Sequence, residues 1–516
     1  MEQVIAGAKF PAKCVKNEIH NLLTTLRLTK HGARDDTKAK RFHSECLRSF
    51  QRLFEELTFS HELHEFDTMA YLEPFLVVIQ SDATDGQTTA VALGAVDKFV
   101  SFGLINPESH RCTAAVNTLA WGVIKCRFIS SGSANDEVVL LKLVGVLINC
   151  LRCPAGDYLS DTCVWHMVRK CFQISRQPRA SHLLRSSAEG TLQQMVLTIF
   201  GTQKERFRRV RVHLRDGDPG AAPGSAPQVD RPYGFRAMLH VLRFLAFLQS
   251  IARSPTGGTE RDGSAAKPRH RVRKARSRSR SPSGGDVSSP RHGAGNSREN
   301  SPVHGSDESM SPDLGLSEAA AAVVGKEELR VDTNCLGLSL LNVALESGGD
   351  EVAKSDEILC VIQDDICKGL LQNSRTDSLS MLSLTLRAIF NLFLHFKRHL
   401  KLQLEIFFTS VHLKIAGSDA APYEQRELAL ESLLEFCREP ELMIELYENY
   451  DCDVRCTNLF ETLVKFLVTH AFPSDGVQGV RGGFNSLHRL ALSGLLSILH
   501  SIALRCKGRG NWRATP

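Results

Sequence analysis

The apolar pattern of residues 38–59 constrains the fold more than any other feature of the chain. Its apolar side chains recur at steps of three and four residues, which places them on one stripe of a helix with 3.6 residues per turn. Charged side chains occupy the opposite face. The stripe comprises Phe42, Cys46, Leu47, Phe50, Leu53, Phe54 and Leu57. Such a helix buries one side only, so it needs other helices to pack against.

The same pattern recurs along the chain with turn signals between the segments, and strand-like alternation is almost absent. Helices of about 12 to 20 residues joined by short turns are typical of a stacked array. We therefore predict an all-α fold, an irregular α-solenoid of the armadillo or HEAT kind, because no strict period is visible. The further helices are predicted at about 69–80, 88–104, 111–129, 136–151, 159–174, 186–210, 233–252, 333–347, 356–372, 377–397, 399–416, 423–437, 440–449, 454–471 and 485–505.

Two changes of composition divide the chain into domains. Residues 216–231 are rich in Gly, Pro, Ala and Asp and predict a linker. Residues 253–331 are basic, rich in Ser and Pro, and almost without large apolar side chains, so they predict a disordered insert. The sequence thus predicts two helical blocks, 1–215 and 232–516, with the insert interrupting the second.

The charge of the chain is concentrated in this insert. The net charge is +6, and the segment Lys267 to Arg280 alone holds eight Lys or Arg and no acid. The remainder is near neutral, so no nucleic-acid partner is expected. Three interpretations of the basic part of the insert are possible. It is a solvated loop modified by kinases, a segment that contacts anionic lipids or acidic partners, or a segment that binds RNA or acts as a nuclear signal. The candidate phosphorylation sites, each followed by Pro, are Ser254, Ser281, Ser289, Ser301 and Ser311.

Cysteine usage and hydropathy favour a cytosolic protein. The fifteen cysteines are odd in number and scattered through apolar segments, which suits reduced, buried thiols. The richest apolar stretch, Ala388 to Phe396, is interrupted by Asn391 and His395, so no membrane span is predicted. The N-terminus has no basic region followed by an apolar core, and no secretory signal is expected.

The sequence predicts no active site, no metal and no cofactor. The pair Cys150 and Cys153 has the spacing of half a zinc knuckle, but no second pair follows, and Cys452 and Cys456 also lack partner ligands. Residues 61–64, His-Glu-Leu-His, are one residue short of the metalloprotease spacing. The glycines of 476–483 follow no strand and fit no phosphate-binding pattern.

A polar stretch, Glu448 to Asn458, lies between two apolar helical segments and admits three readings. The first is a pair of catalytic carboxylates, Asp451 and Asp453. The second is a structural clasp in which Asn449, Asp451 and Asn458 satisfy backbone groups. The third is an exposed docking surface. Asp453 is also predicted to cap the helix that follows, from about residue 454.

The same stretch resembles a family motif. Residues 447–453, Tyr-Glu-Asn-Tyr-Asp-Cys-Asp, followed by 458–461, Asn-Leu-Phe-Glu, look like the signature box of the large Arf guanine-nucleotide exchange factors. That box belongs to the domain called "homology upstream of" the catalytic one. Residues 433–440 and 400–405 resemble the same domain, particularly in the Golgi brefeldin-A-resistance factor and GNOM branch. The box residues that the resemblance assigns to interaction are Asn449, Tyr450, Asp451, Cys452, Asp453 and Asn458.

Residues 71–75 and 95–102 are similar to the N-terminal dimerisation and cyclophilin-binding domain of the same family. The resemblance implies that the first block forms homodimers and contacts the second block. The second block would govern Golgi membrane association and the exchange reaction that a neighbouring catalytic domain performs on Arf. Rab-type GTPases, cyclophilin and anionic Golgi lipids are further partners that it implies, at a cytoplasmic location on Golgi or early secretory membranes.

The family's catalytic domain carries a Phe-Asn-x-x-Pro-Lys-Lys-Gly loop, and the sequence reaches Pro516 without it. The chain therefore resembles the regulatory half alone, whether as a fragment, a truncated gene model or a free-standing regulator, and no exchange activity is expected from it. The resemblance favours a docking role for the signature box. The alternative function is a generic helical-repeat adaptor or transport receptor unrelated to Arf exchange.

Overall fold

The computed structural model describes residues 2–29, 37–59, 67–130, 134–201, 233–251, 327–472 and 484–508, which are almost entirely helical. Within these ranges the one β interaction is an isolated bridge between Asp85 and Ile129. The all-α prediction is confirmed. The linker, most of the predicted insert and the five candidate phosphoserines lie outside the described residues, whereas residues 327–331 begin a helix.

Eight helices precede residue 202. They are α1 (Glu2–Thr29), α2 (Thr37–Phe59), α3 (Thr68–Gln80), α4 (Gly86–Ser101), α5 (Cys112–Ile124), α6 (Ala134–Arg152), α7 (Asp161–Ser175) and α8 (His182–Gly201). A short 3₁₀ turn, Pro154–Tyr158, joins α6 to α7. Several helices begin at a residue whose side chain accepts a hydrogen bond from a free N–H group of the first turn. These residues are Asp67 for α3, Asp85 for α4 and Ser160 for α7.

The later helices include three π-helical turns. The helices are α9 (Phe235–Ile251), α10 (Glu327–Val352), α11 (Asp356–Val361), α12 (Cys367–Asn373), α13 (Leu379–Phe396), α14 (Lys401–Phe407), α15 (Lys414–Ala416), α16 (Tyr423–Arg438), α17 (Pro440–Leu446), α18 (Leu459–His470) and α19 (Ser486–Gly508). The π turns are Ile362–Ile366, between α11 and α12, Phe408–Leu413, between α14 and α15, and Tyr447–Asp451, after α17.

The helices stack in two layers, which confirms the α-solenoid prediction. Layer A runs α1, α4, α6, α8, α10, α13, α16 and α19, and each member packs against the next. Layer B runs α2, α3, α5, α7, α9 and then α11 with α12, again by contact between successive members. The shorter helices α14, α15, α17 and α18 pack against α13, α16 and α19. The core lies between the layers, as it does in helical repeat proteins.

The packing continues across the two stretches that separate α8, α9 and α10. In layer A, α8 contacts α10 directly, and in layer B, α9 contacts α7. A polar clamp fixes the start of α9: Asp161 Oδ1 accepts the backbone N–H groups of Gly234, at 2.8 Å, and Ala237, at 2.9 Å. The backbone N–H of Tyr233 donates to the carbonyl oxygen of Leu159 at 2.8 Å. The division into blocks at 216–231 stays a prediction.

Two helices are long and apolar enough to cross a membrane, judged by length and composition alone. No membrane span was predicted from the sequence. The two helices cover Leu379–Phe396 and Ser486–Arg505, each with a mean hydropathy of 1.4. Half of the first window is buried against other helices, because α13 packs between α10 and α16 in layer A. The window reaches a high hydropathy despite Asn391 and His395, whose effect the sequence prediction overstated. A core helix of a helical protein ordinarily has the same apolar composition.

A buried histidine closes the π turn of Phe408–Leu413. The imidazole of His412 is fully buried, with Nδ1 3.3 Å from the carbonyl oxygen of Phe407 and Nε2 3.1 Å from Ser432 Oγ. Because a carbonyl oxygen only accepts, Nδ1 carries the proton and Nε2 accepts from the Ser432 hydroxyl. Burial lowers the pKa of His412 from 6.5 to about 4. The ring is therefore neutral in the folded protein at neutral pH.

We predict that His412 makes the fold acid-sensitive. Its folded pKa is lowered, so it costs no stability above pH 6.5, and the cost grows as the pH falls from 6.5 towards 4. Between pH 7.5 and pH 5 the loss is about 2 kcal/mol. Urea unfolding at both pH values should show a smaller pH-dependent loss for His412→Gln than for the wild type. The exposed His500→Gln should keep the full loss, and an unchanged pH dependence in His412→Gln would contradict the prediction.

Candidate functional site

The signature-box stretch begins as a helix and ends as a wide turn. Pro440 occupies the first position of α17, where its missing N–H is no loss. After α17 the chain enters the π turn Tyr447–Asp451, in which the N–H of Cys452 donates to the carbonyl oxygen of Tyr447 at 3.1 Å. This bond spans five residues rather than four, which widens the last turn. The sequence prediction of an α-helix to residue 449 did not include this turn.

Asp451 caps the following helix. Its Oδ2 accepts the N–H of Phe460 and its Oδ1 that of Glu461, both at 2.9 Å. The carboxylate thus satisfies two of the free N–H groups in the first turn of α18 and faces the positive end of the helix dipole. The prediction that Asp453 caps this helix is wrong, because the helix begins at Leu459 rather than near residue 454, out of its reach.

Asp453 instead binds a cation of α14. Lys401 Nζ lies 2.7 Å from Asp453 Oδ2, and the backbone N–H of Arg455 donates to Asp453 Oδ1 at 3.0 Å. The Lys401 ammonium, followed by the donors of Arg455, lowers the pKa of Asp453. The same contact raises the pKa of Lys401. Asp453 is therefore ionised and paired, whereas a general acid needs a pKa near the working pH.

Tyr450 joins the box to the same helix from the inside. Its side chain is buried, its hydroxyl donates to the carbonyl oxygen of Lys401 at 3.1 Å, and burial raises its pKa. The Lys401 ammonium also lies 5.6 Å from the centre of the Tyr450 ring. A second residue of α14, Glu405, accepts the N–H of Thr457 at 3.0 Å. The box, α14 and α18 are thus tied together by polar contacts, which we name the box clasp.

The other predicted box residues lie on the exposed side of the clasp. Asn449 Nδ2 donates to the carbonyl oxygen of Glu445 at 2.9 Å, and Asn458 Nδ2 donates to Glu461 Oε2 at 2.8 Å. Cys452 is exposed. The six predicted residues therefore separate by role: Tyr450, Asp451 and Asp453 hold the clasp, while Asn449, Cys452 and Asn458 face solvent. Sequence reasoning assigned residues 400–405 to the same domain but did not predict that Lys401 and Glu405 contact the box, some fifty residues later.

The remaining predicted sites can be located only in part. Cys150 is buried, burial raises its pKa, and its carbonyl oxygen accepts from the Cys153 thiol at 3.3 Å. Cys452 is exposed and Cys456 is half-buried. Residues 61–64 and 476–483 lie outside the described residues. Within the described part of the chain, no group of three or more potential ligands is placed to hold a metal ion.

Comparison with known proteins finds a family match that includes the box. Residues 316–459 match a Sec7-like family described as "Mon2/Sec7/BIG1-like, HUS domain". The match includes α10 to α17 and the box as far as the first residue of α18. Residues 316–459 are thus similar to a HUS domain, and most of the chain is similar to part of the large Arf guanine-nucleotide exchange factors, which confirms the resemblance seen in the motifs.

Three relatives illustrate the similarity. The chain is 28% identical to ARF guanine-nucleotide exchange factor GNOM of Arabidopsis thaliana, over 95% of the chain and 33% of the relative. It is 29% identical to the Golgi-specific brefeldin A-resistance guanine nucleotide exchange factor 1 homolog of Caenorhabditis elegans, over 90% of the chain and 26% of the relative. It is 23% identical to ARF guanine-nucleotide exchange factor 2 of Saccharomyces cerevisiae, over 85% of the chain and 30% of the relative. The chain spans between about a quarter and a third of the length of these relatives.

We predict that Asp451→Ala destabilises the protein by about 1–2 kcal/mol, because it removes both acceptors from the first turn of α18. Asp451→Asn keeps one oxygen acceptor and should lose less. Asn449→Ala, on the exposed side, should change stability by no more than about 0.5 kcal/mol. Denaturant unfolding of the three variants checks the order. Equal stability of Asp451→Ala and the wild type would contradict the cap.

We also predict that Lys401 and Asp453 are energetically coupled. In a double-mutant cycle, Lys401→Met and Asp453→Asn should each lower the unfolding temperature, and the double variant should lose less than the sum of the two. Because the folded pKa of Asp453 is lowered, the coupling is present above its ordinary value of 3.8 and is lost as the pH falls through the lowered pKa. Additive effects at pH 7 would show that the pair does not interact.

Proposed function

We propose that the chain is a regulatory and interaction module of a large Arf guanine-nucleotide exchange factor. In this role it mediates dimerisation, contact between its own helical blocks, and recruitment to Golgi membranes in vesicle-mediated transport. Its partners are a second copy of itself, the catalytic domain of a large exchange factor and Arf-type GTPases. Rab-type GTPases, cyclophilin and anionic Golgi lipids are further proposed partners. The location is the cytoplasmic face of Golgi and early secretory membranes.

The single observation that carries the proposal is the similarity over most of the chain to proteins named Arf exchange factors, with a HUS domain at 316–459. The site geometry supports an interaction role rather than a catalytic one. The two candidate catalytic carboxylates, Asp451 and Asp453, are both engaged, Asp451 by backbone N–H groups and Asp453 by Lys401. The Lys401 ammonium lowers the pKa of Asp453, which makes Asp453 a poor general base.

The surface beside the box clasp supports a docking role. Leu402 and Ile406 are one turn apart on α14 and expose 67% and 48% of their surface. On the loop that α14 binds, Val454 is fully exposed, and Tyr447 exposes 52% at the start of the π turn. Exposed apolar side chains grouped beside polar ones are typical of protein interaction sites. We define these four residues as the box face.

We predict that the purified chain does not accelerate GDP release from Arf by itself. The regulatory role assigns that reaction to a neighbouring catalytic domain. A fluorescence assay of GDP release from Arf, with and without the chain, measures the effect directly. The catalytic domain of a large exchange factor, assayed in parallel, should be active. Catalytic release of GDP by the chain alone would contradict this part of the proposal.

We predict that the chain binds the catalytic domain of a large exchange factor through the box face. Val454→Asp combined with Leu402→Asp should weaken the complex by about tenfold or more, because both charges would be buried at the interface. Leu183→Asp is the matched control, since Leu183 exposes 67% of its surface on α8, outside the box face. Pull-down followed by titration gives the affinities. If the double variant and the control bind the catalytic domain with equal affinity, the box face is not the binding surface.

The alternative is a generic helical-repeat adaptor unrelated to Arf exchange. It predicts no binding to the catalytic domain by the wild type, so the same titration separates the two functions. The similarity to Arf exchange factors over 95% of the chain in GNOM favours the first.

A further inference from the structure

Four aromatic rings form a row across three successive helices of layer B. On α5 and α7, the rings of Trp121 and His166 lie 4.9 Å apart. On α7 and α9, the rings of Trp165 and His240 are stacked at 6.1 Å. All four side chains are half-buried. Trp165 and His166 are consecutive residues of α7, so one pair joins α5 to α7 and the other joins α7 to α9.

The row is surrounded by cationic side chains. Lys125 Nζ lies 5.6 Å from the centre of the Trp121 ring. Burial lowers the pKa of His166, and the charge of Arg169 lowers it further. At the other end, burial lowers the pKa of His240. The charges of Arg243 and Arg236 lower this pKa further, and the charge of Asp161 opposes them. Together with Lys170 of α7, these residues define the basic–aromatic row: Trp121, Lys125, Trp165, His166, Arg169, Lys170, Arg236, His240 and Arg243.

The positive charge of the row lacks counter-charge in the described part of the chain. None of its five Lys or Arg side chains lies within salt-bridge distance of a described carboxylate, and the enclosed Nε of Arg169 has no hydrogen-bond partner there. The sequences of α5, α7 and α9 contain one acid, Asp161. Its Oδ1 is occupied by the N–H groups at the start of α9. A buried guanidinium Nε without a hydrogen-bond partner is costly unless a partner accepts from it, and an anion can do so.

We propose that the basic–aromatic row binds an acidic segment of a partner protein in an extended conformation. Carboxylates of that segment would pair with the Lys and Arg side chains, and its backbone would lie over the four rings. Neighbouring helices are about 8–10 Å apart, so a row over three helices spans about 20 Å. That length matches about six residues of extended chain. Helical arrays present long surfaces of this kind.

The shape of the row favours a peptide over a membrane. Among the described residues, the large exposed apolar side chains all lie outside α5, α7 and α9. The two tryptophans are held against the protein, Trp165 by edge contact with Phe244 at 5.4 Å. Insertion into lipid requires apolar side chains that project beyond the charged ones. The four rings of the row are half-buried, which suits a polar chain laid across them.

The test uses the full chain and a fluorescently labelled peptide of alternating Glu and Gly, with a Gln and Gly peptide of equal length as the neutral probe. Anisotropy should show binding of the Glu peptide that weakens with added salt, and at least about tenfold weaker binding of the Gln peptide. Arg236→Glu combined with Arg243→Glu changes two exposed side chains and should weaken binding of the Glu peptide by about tenfold or more. Arg489→Glu combined with Arg505→Glu, two exposed positions on α19, is the charge-matched control and should bind as the wild type does.

Tryptophan fluorescence supplies a second readout, because two of the three tryptophans of the chain belong to the row. The Glu peptide should change the emission of the wild type, and Trp165→Phe should reduce that change. Absence of binding, equal affinity for both peptides, or equal weakening by the control variant would overturn the proposal. Binding to phosphatidylserine vesicles without binding to the peptide would also overturn it, in favour of a membrane. The proposed peptide binding is independent of the proposed role in Arf exchange. A negative result in the peptide titration would leave the measurements with the catalytic domain unchanged, and the reverse also holds.

Discussion

Layer A is held together because its helices present apolar side chains to the helix before them and to the helix after them. In α8, Leu192, Met195 and Ile199 are fully buried, and the helix contacts both α6 and α10. Each such side chain contributes about 1.5–3 kcal/mol when it is removed from water. A helix of this kind cannot be stable without its neighbours, since the burial comes from contact with them. The array therefore gains stability along its length, one neighbouring pair at a time.

This dependence explains how much of the fold the sequence could predict. Most helices were found because burial on one side leaves a stripe of period 3.6, as in α2, where Phe50 and Leu57 are buried. Helix α1 was missed, although Val15, Ile19 and Leu26 follow the same spacing, since Pro11 and many polar residues interrupt the apolar pattern around them. The start of α18 was placed too early, because an acid near a helix start is a common signal and the sequence holds two of them, Asp451 and Asp453.

The box clasp shows where sequence reasoning reaches its limit. The polar composition of residues 448–458 predicted hydrogen bonding, and Asp451 and Tyr450 form such bonds. The contacts that Tyr450 and Thr457 make with α14 could not be predicted, because that helix lies some fifty residues earlier and only the stacking brings it close. The π turn at Tyr447–Asp451 has no recognised sequence signal, and it directs Tyr450 towards the protein interior. The basic–aromatic row was missed for the same reason, since its rings come from three separate helices.

The direct contact between α8 and α10 has a consequence for how the chain tolerates change. That contact joins the chain before residue 202 to the chain after residue 326, and α9 packs on the array between them in sequence. The entropic cost of closing a loop grows only with the logarithm of its length, so doubling a connection costs about 0.6 kcal/mol. Lengthening a helix of layer A would instead shift every neighbour that packs on it. A change in the number of residues that connect α9 to α10 therefore costs little loop-closure entropy, whereas the spacing of the stacked helices stays fixed.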